Sequence, residues 1–254
     1  PIFLKGMAHI LEGLYIDVGE RMLSDIDFLV AKDQVEKVAE ILKEEGYTRF
    51  SEDLFTSQRH YSRLIHKDFI GAIEIHWNIL DNKYATKLSY EKIFSDKQKI
   101  GNYYVPSFAH QAIHNMLNAQ VNDNSYSSGA ILLRQLYDCF LLTRIFEVQS
   151  DLKKYKHNYY LKNLYLKCLH KLFKTEVILF NSSLVLNFLM LRYEFTTNQS
   201  LYKIEKTFTY YRFRLYNYPN RIVLAIRNKR IRKKMIKNLT TKGWLKRHFN
   251  SYKN

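Results

Sequence analysis

The run Ser24-Asp25-Ile26-Asp27-Phe28-Leu29-Val30 carries two carboxylates at a spacing of two and then turns apolar. In a β-strand, side chains two apart share a face, so Asp25 and Asp27 project together while Ile26 and Phe28 point the other way. Like charges that close repel and raise a pKa unless a cation sits between them, and hard divalent cations such as Mg²⁺ or Mn²⁺ take such oxygen ligands. A second alternating run, Ile73-Glu74-Ile75-His76-Trp77, puts Glu74 and His76 on one face. If the two strands are neighbours, Glu74 supplies a third carboxylate. Three carboxylates on adjacent strands, preceded by a strand-glycine-helix element, describe a phosphoryl-transfer site in which metals bridge the acids, an attacking hydroxyl and a triphosphate. The helix after Gly6 would turn its positive end toward phosphate oxygens, with Lys5 and Arg21 adding charge.

Each residue also has a plainer reading. Asp25 and Asp27 could lie on a solvated edge strand, Lys5 could be an ordinary solvated lysine, and Arg21 could pair structurally with Asp25 or Asp27. His76, beside Trp77, could contact a nucleotide or act near the metals, or be a half-buried strand histidine bonded to a backbone carbonyl. His110 and His114 have the helical spacing of zinc ligands, but Gln111 follows His110, so the general base of an HExxH site is missing. His114 and Asp138 are instead expected to hydrogen-bond inside a helical region, with a place near the substrate as the alternative. No GxGxxG, Walker lysine motif or GxSxG elbow is present, which disfavours dehydrogenase, P-loop and hydrolase chemistry.

The elements that must position these residues follow from periodicity. Ile2-Phe3-Leu4 reads as a strand, Lys5-Gly6 as a turn, and Met7 to Tyr15 as a helix. Asp25 to Val30 reads as a strand entering a core, followed by a helix capped by Asp33, running through Glu45 and ended by Gly46. Arg59 to His66 and Ala72 to Ile79 read as strands joined by a turn around Asp68 and Gly71. Beyond Pro106 the pattern becomes helical, over Ser107 to Gln120, Ala130 to Val148, Leu152 to Phe173, Val177 to Tyr193 and Leu201 to Leu215. The expected fold is an α/β (α+β) mixed sheet with flanking helices over residues 1–105, followed by an all-helical part over 106–254.

Charge divides the chain in the same sense. Pro1 to Ser127 holds 14 basic and 18 acidic residues, whereas the remainder holds 26 and 6, and from Lys206 onward 15 Lys and Arg stand without one Asp or Glu. Such a segment is expected to meet a polyanion. Tyr210, Tyr211, Phe213, Tyr216, Tyr218 and Trp244, interleaved with the cations, would suit RNA, through base stacking beside phosphates. Leu224, Ile231, Met235 and Leu239 fall on one helical side; the plain alternative is a solvated lysine-rich helix, and an anionic membrane surface, into which Ile222, Leu224, Ile226, Ile231, Ile236 and Trp244 could dip, is the lesser option. The apolar window Val177 to Leu191 is broken by Asn181, Ser182, Ser183 and Asn187, so no transmembrane segment is expected. Two cysteines without CxxC spacing and no visible secretory signal point to a reducing, cytoplasmic setting.

Taken in order, Leu4-Lys5-Gly6, Arg21-x-x-Ser24-Asp25-Ile26-Asp27-Phe28-Leu29-Val30, Gly46-Tyr47 and Glu74-Ile75-His76-Trp77 resemble the poorly characterised bacterial nucleotidyltransferase family of the polymerase-β-like superfamily. The resemblance is closest over Ile2 to Ile79 and continues more loosely through His114 and Leu136-Tyr137-Asp138. It implies a mixed-sheet nucleotidyltransferase core, Mg²⁺ held by Asp25, Asp27 and Glu74, a nucleotide side formed by Lys5, Gly6, Arg21 and Ser24, and transfer of a nucleoside monophosphate from an NTP such as ATP. Two departures stand out. Lys5-Gly6-Met7 replaces the usual glycine-serine pair, removing a hydroxyl from the phosphate side, and Glu74 is one methylene longer than the usual Asp. The acceptor could be a sugar or other small molecule, a protein side chain or an RNA end. The alternative function is a catalytically inactive module of this fold that binds RNA or an anionic membrane through its basic half.

Overall fold

In a computed structural model of the chain, residues 1–50, 59–123, 125–128, 130–155, 159–175, 190–191 and 198–244 are described. The first strand, β1 (Ile2–Phe3), leads directly into α1 (Lys5–Leu11), two residues earlier than periodicity suggests, and Gly13 at φ +67° turns the chain out of that helix before Tyr15. β2 (Asp25–Leu29) follows. Asp33 does not cap the next helix: it sits in a single 3₁₀ turn, Lys32–Gln34, and α2 (Val35–Glu44) starts behind Gln34 without a side-chain cap. The tighter turn orders the backbone that a capping carboxylate would otherwise have held. Gly46, at φ +92°, closes α2 as expected, its N–H donating to the Lys43 carbonyl at 3.0 Å.

β3 (Thr48–Arg49), β4 (Leu64–His66) and β5 (Phe69–His76) come next. The hairpin turn is the pair Lys67-Asp68, and Gly71 lies inside β5 rather than in the turn. After α3 (Tyr90–Ser95), the strands β6 (Gln98–Ile100) and β7 (Tyr103–Val105) complete a mixed sheet of order β3-β4-β5-β2-β1-β7-β6, in which β2 pairs in parallel with β5, and β1 in parallel with β7. The helical part follows as α4 (Phe108–Leu117), a π-helical turn Asn118–Asn122, α5 (Ser125–Ser128), α6 (Leu133–Phe146), α7 (Gln149–Lys154) and α8 (Tyr159–Phe173). Periodicity had joined α7 and α8 into one helix. Lys162 Nζ donates to the carbonyls of Lys153 and Tyr155 at 2.9 and 2.7 Å, so a cation from α8 satisfies the end of α7 and stabilises the break.

The two faces of the sheet bury different cores. Phe28, Ile73 and Ile75 pack with Val35 and Ala39 of α2, while Ile2, Leu4 and Leu29 belong to a larger cluster with Ala112, Met116, Leu136, Leu142 and Leu169. The change from strand to helix at residues 105–107 is therefore a change of element type, and the larger core runs across it. By contacts one unit reaches Tyr202 and a second begins at Lys203. In the basic stretch, the helix Gln199–Arg227 contains Pro219, and Asn228 caps the next helix, Lys229–Thr240, its Oδ1 accepting from the N–H groups of Arg230 and Ile231. Of the apolar side expected there, Ile231 is buried and Leu224 and Leu239 are exposed. The expected helix Val177 to Tyr193 falls almost wholly outside the described residues, as do the side chains of Tyr210, Phe213 and Tyr216. Among the described residues no helix is long and apolar enough to cross a membrane.

Candidate active site

The parallel pairing of β2 and β5 sets Asp27 directly opposite Glu74, with Asp25 two residues along on the same face and His76 two residues beyond Glu74. The alternation that sends Ile26, Phe28, Ile73 and Ile75 to α2 sends these four polar side chains to the other side. Asp27 Oδ1 lies 2.6 Å from Lys5 Nζ and 2.7 Å from His76 Nε2. Arg63 Nη2 bridges Asp25 Oδ2 at 3.0 Å and Glu74 Oε1 at 2.9 Å, and Ser24 Oγ donates to Asp25 Oδ1 at 2.8 Å. Asp27, Glu74 and His76 each offer a ligand atom within 4.8 Å of the others.

This donor set fits a divalent cation. The carboxylates converge from adjacent strands, and two side-chain cations, Lys5 and Arg63, already stand among them, marking where positive charge is stable. Burial alone would push the Asp27 carboxyl up, but the Lys5 ammonium and the His76 hydrogen bond outweigh it and hold it well below the usual carboxylate range. Glu74 is likewise depressed: burial opposes ionisation, and the hydrogen bonds of His76 and Arg63 favour it. Both acids are therefore ionised at neutral pH and able to ligate.

A second polar cluster lies in the same cleft. Asp138, on α6, accepts from Arg21 Nε and Nη2 at 3.0 Å each and from the Tyr15 hydroxyl, with His9 Nδ1 3.5 Å away. Arg21 thus belongs to a buried two-bonded pair with Asp138 rather than pairing with Asp25 or Asp27. Gly6 serves this arrangement: a Cβ there would collide with the Leu23 side chain and stand 3.0 Å from Arg21 Cζ. Lys5 adopts φ +51°, a left-handed conformation that costs a non-glycine residue about 1 kcal/mol, and its ion pair with Asp27 helps to hold it there.

The cleft is lined by Lys5, Gly6, Arg21, Ser24, Asp25 and Asp27 on the sheet side, and by Gln111, His114, Asn115 and Asn118 on the α4 side. Glu74 is buried beside Asp27. His114 is buried, and burial together with the nearby positive charge of Lys5 pushes its pKa well below the ordinary histidine value, so it is neutral. His110 does not join it: His110 Nδ1 lies 3.8 Å from Asp96 Oδ2. Sequence reasoning missed Arg63 as the bridge between Asp25 and Glu74. Its place follows from the register, in which Leu64 pairs with Ile73 and so sets Arg63 alongside Glu74. Of the two readings of His76, a group acting near the metals or a histidine bonded to a backbone carbonyl, the second has the wrong partner: His76 Nε2 meets the Asp27 carboxylate.

No curated protein and no solved structure matches the chain. A family model described as an uncharacterised nucleotidyltransferase matches residues 1–170, a stretch that contains every residue of both clusters and ends before the basic segment. With two thirds of its length under that match, and with strand-borne acids in the cleft it covers, the chain belongs to this nucleotidyltransferase family.

Proposed function

We propose that the chain is a metal-dependent nucleotidyltransferase that moves a nucleoside monophosphate from an NTP to an acceptor hydroxyl. The observation that carries this reading is the convergence of Asp25, Asp27 and Glu74 on one sheet face, with Asp25, Asp27 and Lys5 lining the cleft and Glu74 buried beside Asp27. These three acids would hold Mg²⁺ or Mn²⁺, which when bound supplies Lewis-acid activation of the phosphate and the attacking oxygen. The acceptor oxygen forms a bond to the α-phosphorus, the bond from that phosphorus to the β-bridging oxygen breaks, and pyrophosphate leaves with the electron pair. Glu74 would complete the metal site and help to activate the acceptor hydroxyl, whose proton passes to water. His76 fixes the Asp27 carboxylate, and Lys5 and Arg63, freed from full-time pairing with the acids, donate to triphosphate oxygens. Arg63 has the reach for this because its side chain is 43% exposed.

The test is incubation with each α-labelled NTP, Mg²⁺ and a cell lysate, followed by separation of RNA, protein and small-molecule fractions. Label in one fraction is the expected result and names the acceptor class, whereas no consumption of any NTP contradicts the proposal. The exposed cations of the helix Lys229–Thr240 favour an anionic acceptor such as an RNA end. In that case affinity for RNA falls steeply as salt is raised, and label appears in the RNA fraction.

A further inference from the structure

The α4 side of the cleft carries polar groups with nothing to bond. Gln111, His114, Asn115 and Asn118 recur at i, i+3, i+4 and i+7, one face of a helix, and line the same cleft as the carboxylates. Gln111, His114 and Asn115 are 2, 2 and 8% exposed, and Gln111 Oε1, His114 Nε2 and Asn115 Nδ2 have no hydrogen-bond partner among the described residues. Gln111 Nε2 donates to Glu12 at 2.7 Å and to the Pro106 carbonyl at 2.8 Å, so its Oε1 is fixed as the unused acceptor. A buried polar atom left without a hydrogen bond destabilises the fold, and three on one face beside a reactive centre are a cost that packing alone does not explain. The π-helical turn that follows at Asn118 is a further departure of the kind found at binding sites.

We infer that this face binds an uncharged, multiply hydroxylated group, a sugar ring, and holds it beside Asp25 and Asp27. The inference rests on the nucleotidyl-transfer reading of that site. A hydroxyl both donates and accepts, and so matches a set made of one acceptor, one donor and a neutral imidazole. An anion does not match it: the free groups include a carbonyl oxygen, the imidazole is uncharged, and Asp138 stands nearby. An ammonium does not match it either, because the nearby acids Glu12 and Asp138 are engaged by Gln111 and by Arg21 with Tyr15. The sugar is either the ribose of the NTP or part of the acceptor.

The experiment measures binding and melting on the full chain, without turnover. Probes are Mg²⁺ complexes of the four NTPs, their 2′,3′-dideoxy forms and tripolyphosphate, together with free glucose and raffinose added to protein loaded with Mg²⁺-NTP. The variants are Asn115→Leu and Gln111→Met, similar in volume to the native residues and apolar. Removing the Asn115 orphan leaves the melting temperature unchanged or raises it, whereas removing a structural hydrogen bond lowers it; Gln111→Met also removes the Nε2 bonds to Glu12 and the Pro106 carbonyl and is therefore read by ligand binding alone. Ribose recognition appears as weaker binding of dideoxy forms to wild type, by about three- to tenfold, a preference lost in Asn115→Leu. Acceptor recognition appears as free-sugar binding that the variants weaken by a similar factor while NTP binding is unchanged. Equal binding of NTP and dideoxy-NTP with no free-sugar binding overturns the inference, as does a fall in melting temperature in Asn115→Leu with sugar binding intact. Failure of wild type to bind any triphosphate counts against the nucleotidyl-transfer reading, and glucose and raffinose added to the protein without NTP then decide the inference, their failure to bind overturning it.

Discussion

Asp138→Asn removes one charge from the buried pair that joins α6 to the segment before β2. The side chains of Arg21 and Asp138 are 9 and 3% exposed, and their two hydrogen bonds are both 3.0 Å. Breaking a buried ion pair from one side costs about 3–5 kcal/mol because the other charge is left without compensation. An asparagine keeps one acceptor oxygen for Arg21 and Tyr15, which places the expected loss near the lower end, about 3 kcal/mol. In a unit of this size that is a fall of roughly 6–12 °C in melting temperature. Arg21→Met and the double variant Arg21→Met/Asp138→Leu complete a cycle whose coupling energy should be about 2 kcal/mol or more. The pH dependence has a definite sign. Burial pushes the Asp138 carboxyl up, but the His9, Arg21 and Tyr15 contacts outweigh it and hold it below its ordinary value. Its contribution is therefore present above the unfolded carboxylate pKa, is lost as pH falls through the folded value, and vanishes in Asp138→Asn. Urea and thermal unfolding across pH 3–7 measure all of this. A coupling energy near zero, or an Asp138→Asn variant as stable as wild type at pH 7, refutes the claim that Arg21 is a structural tie.

Gly6→Ala should cost about 1–3 kcal/mol by overpacking, and less in a Leu23→Ala background, because Leu23 is the atom group it strikes; equal losses in both backgrounds would place the strain elsewhere. Burial raises Glu12 to about 7 despite its bond from Gln111, so its contribution is full below about pH 4.5 and is lost as pH rises through 7. Glu12→Gln should therefore melt higher than wild type at pH 8–9 and show little gain near pH 4.5, and a gain independent of pH would contradict this. Cys139 and Cys168 are buried, and burial pushes both thiols up to about 12, so neither should react with a thiol reagent at pH 8 until the chain is unfolded. Rapid labelling of the folded protein at either cysteine would show that the larger core opens readily.

The strand pair that carries the acids was legible because period-two alternation is strict at Asp25 to Phe28 and at Ile73 to His76, and because α2 announces itself between them. What the alternation could not supply was which neighbours fill the polar face. Arg63 enters through the register of β4 against β5, and Asp138 reaches Arg21 across 117 residues of sequence. Long-range pairing of this kind is set by packing, which local spacing does not encode. Arg21 illustrates the consequence: its charge and position before β2 suit a phosphate ligand, and no local spacing pointed to its partner Asp138 on α6. The break between α7 and α8 was hidden for the same reason, since a lysine nine residues beyond Lys153 satisfies the carbonyls that a continuous helix would have used.

The central claim, that strand-borne acids support nucleotidyl transfer, is tested most directly by following α- and γ-labelled NTP side by side with wild type and Asp27→Asn, with and without Mg²⁺ or Mn²⁺. The account predicts that α-label moves to the acceptor, that γ-label leaves as pyrophosphate, and that both processes stop without metal and fall by orders of magnitude in Asp27→Asn. Transfer of γ-label to the acceptor, or undiminished α-label transfer by an Asp27→Asn protein that melts like wild type, would contradict it.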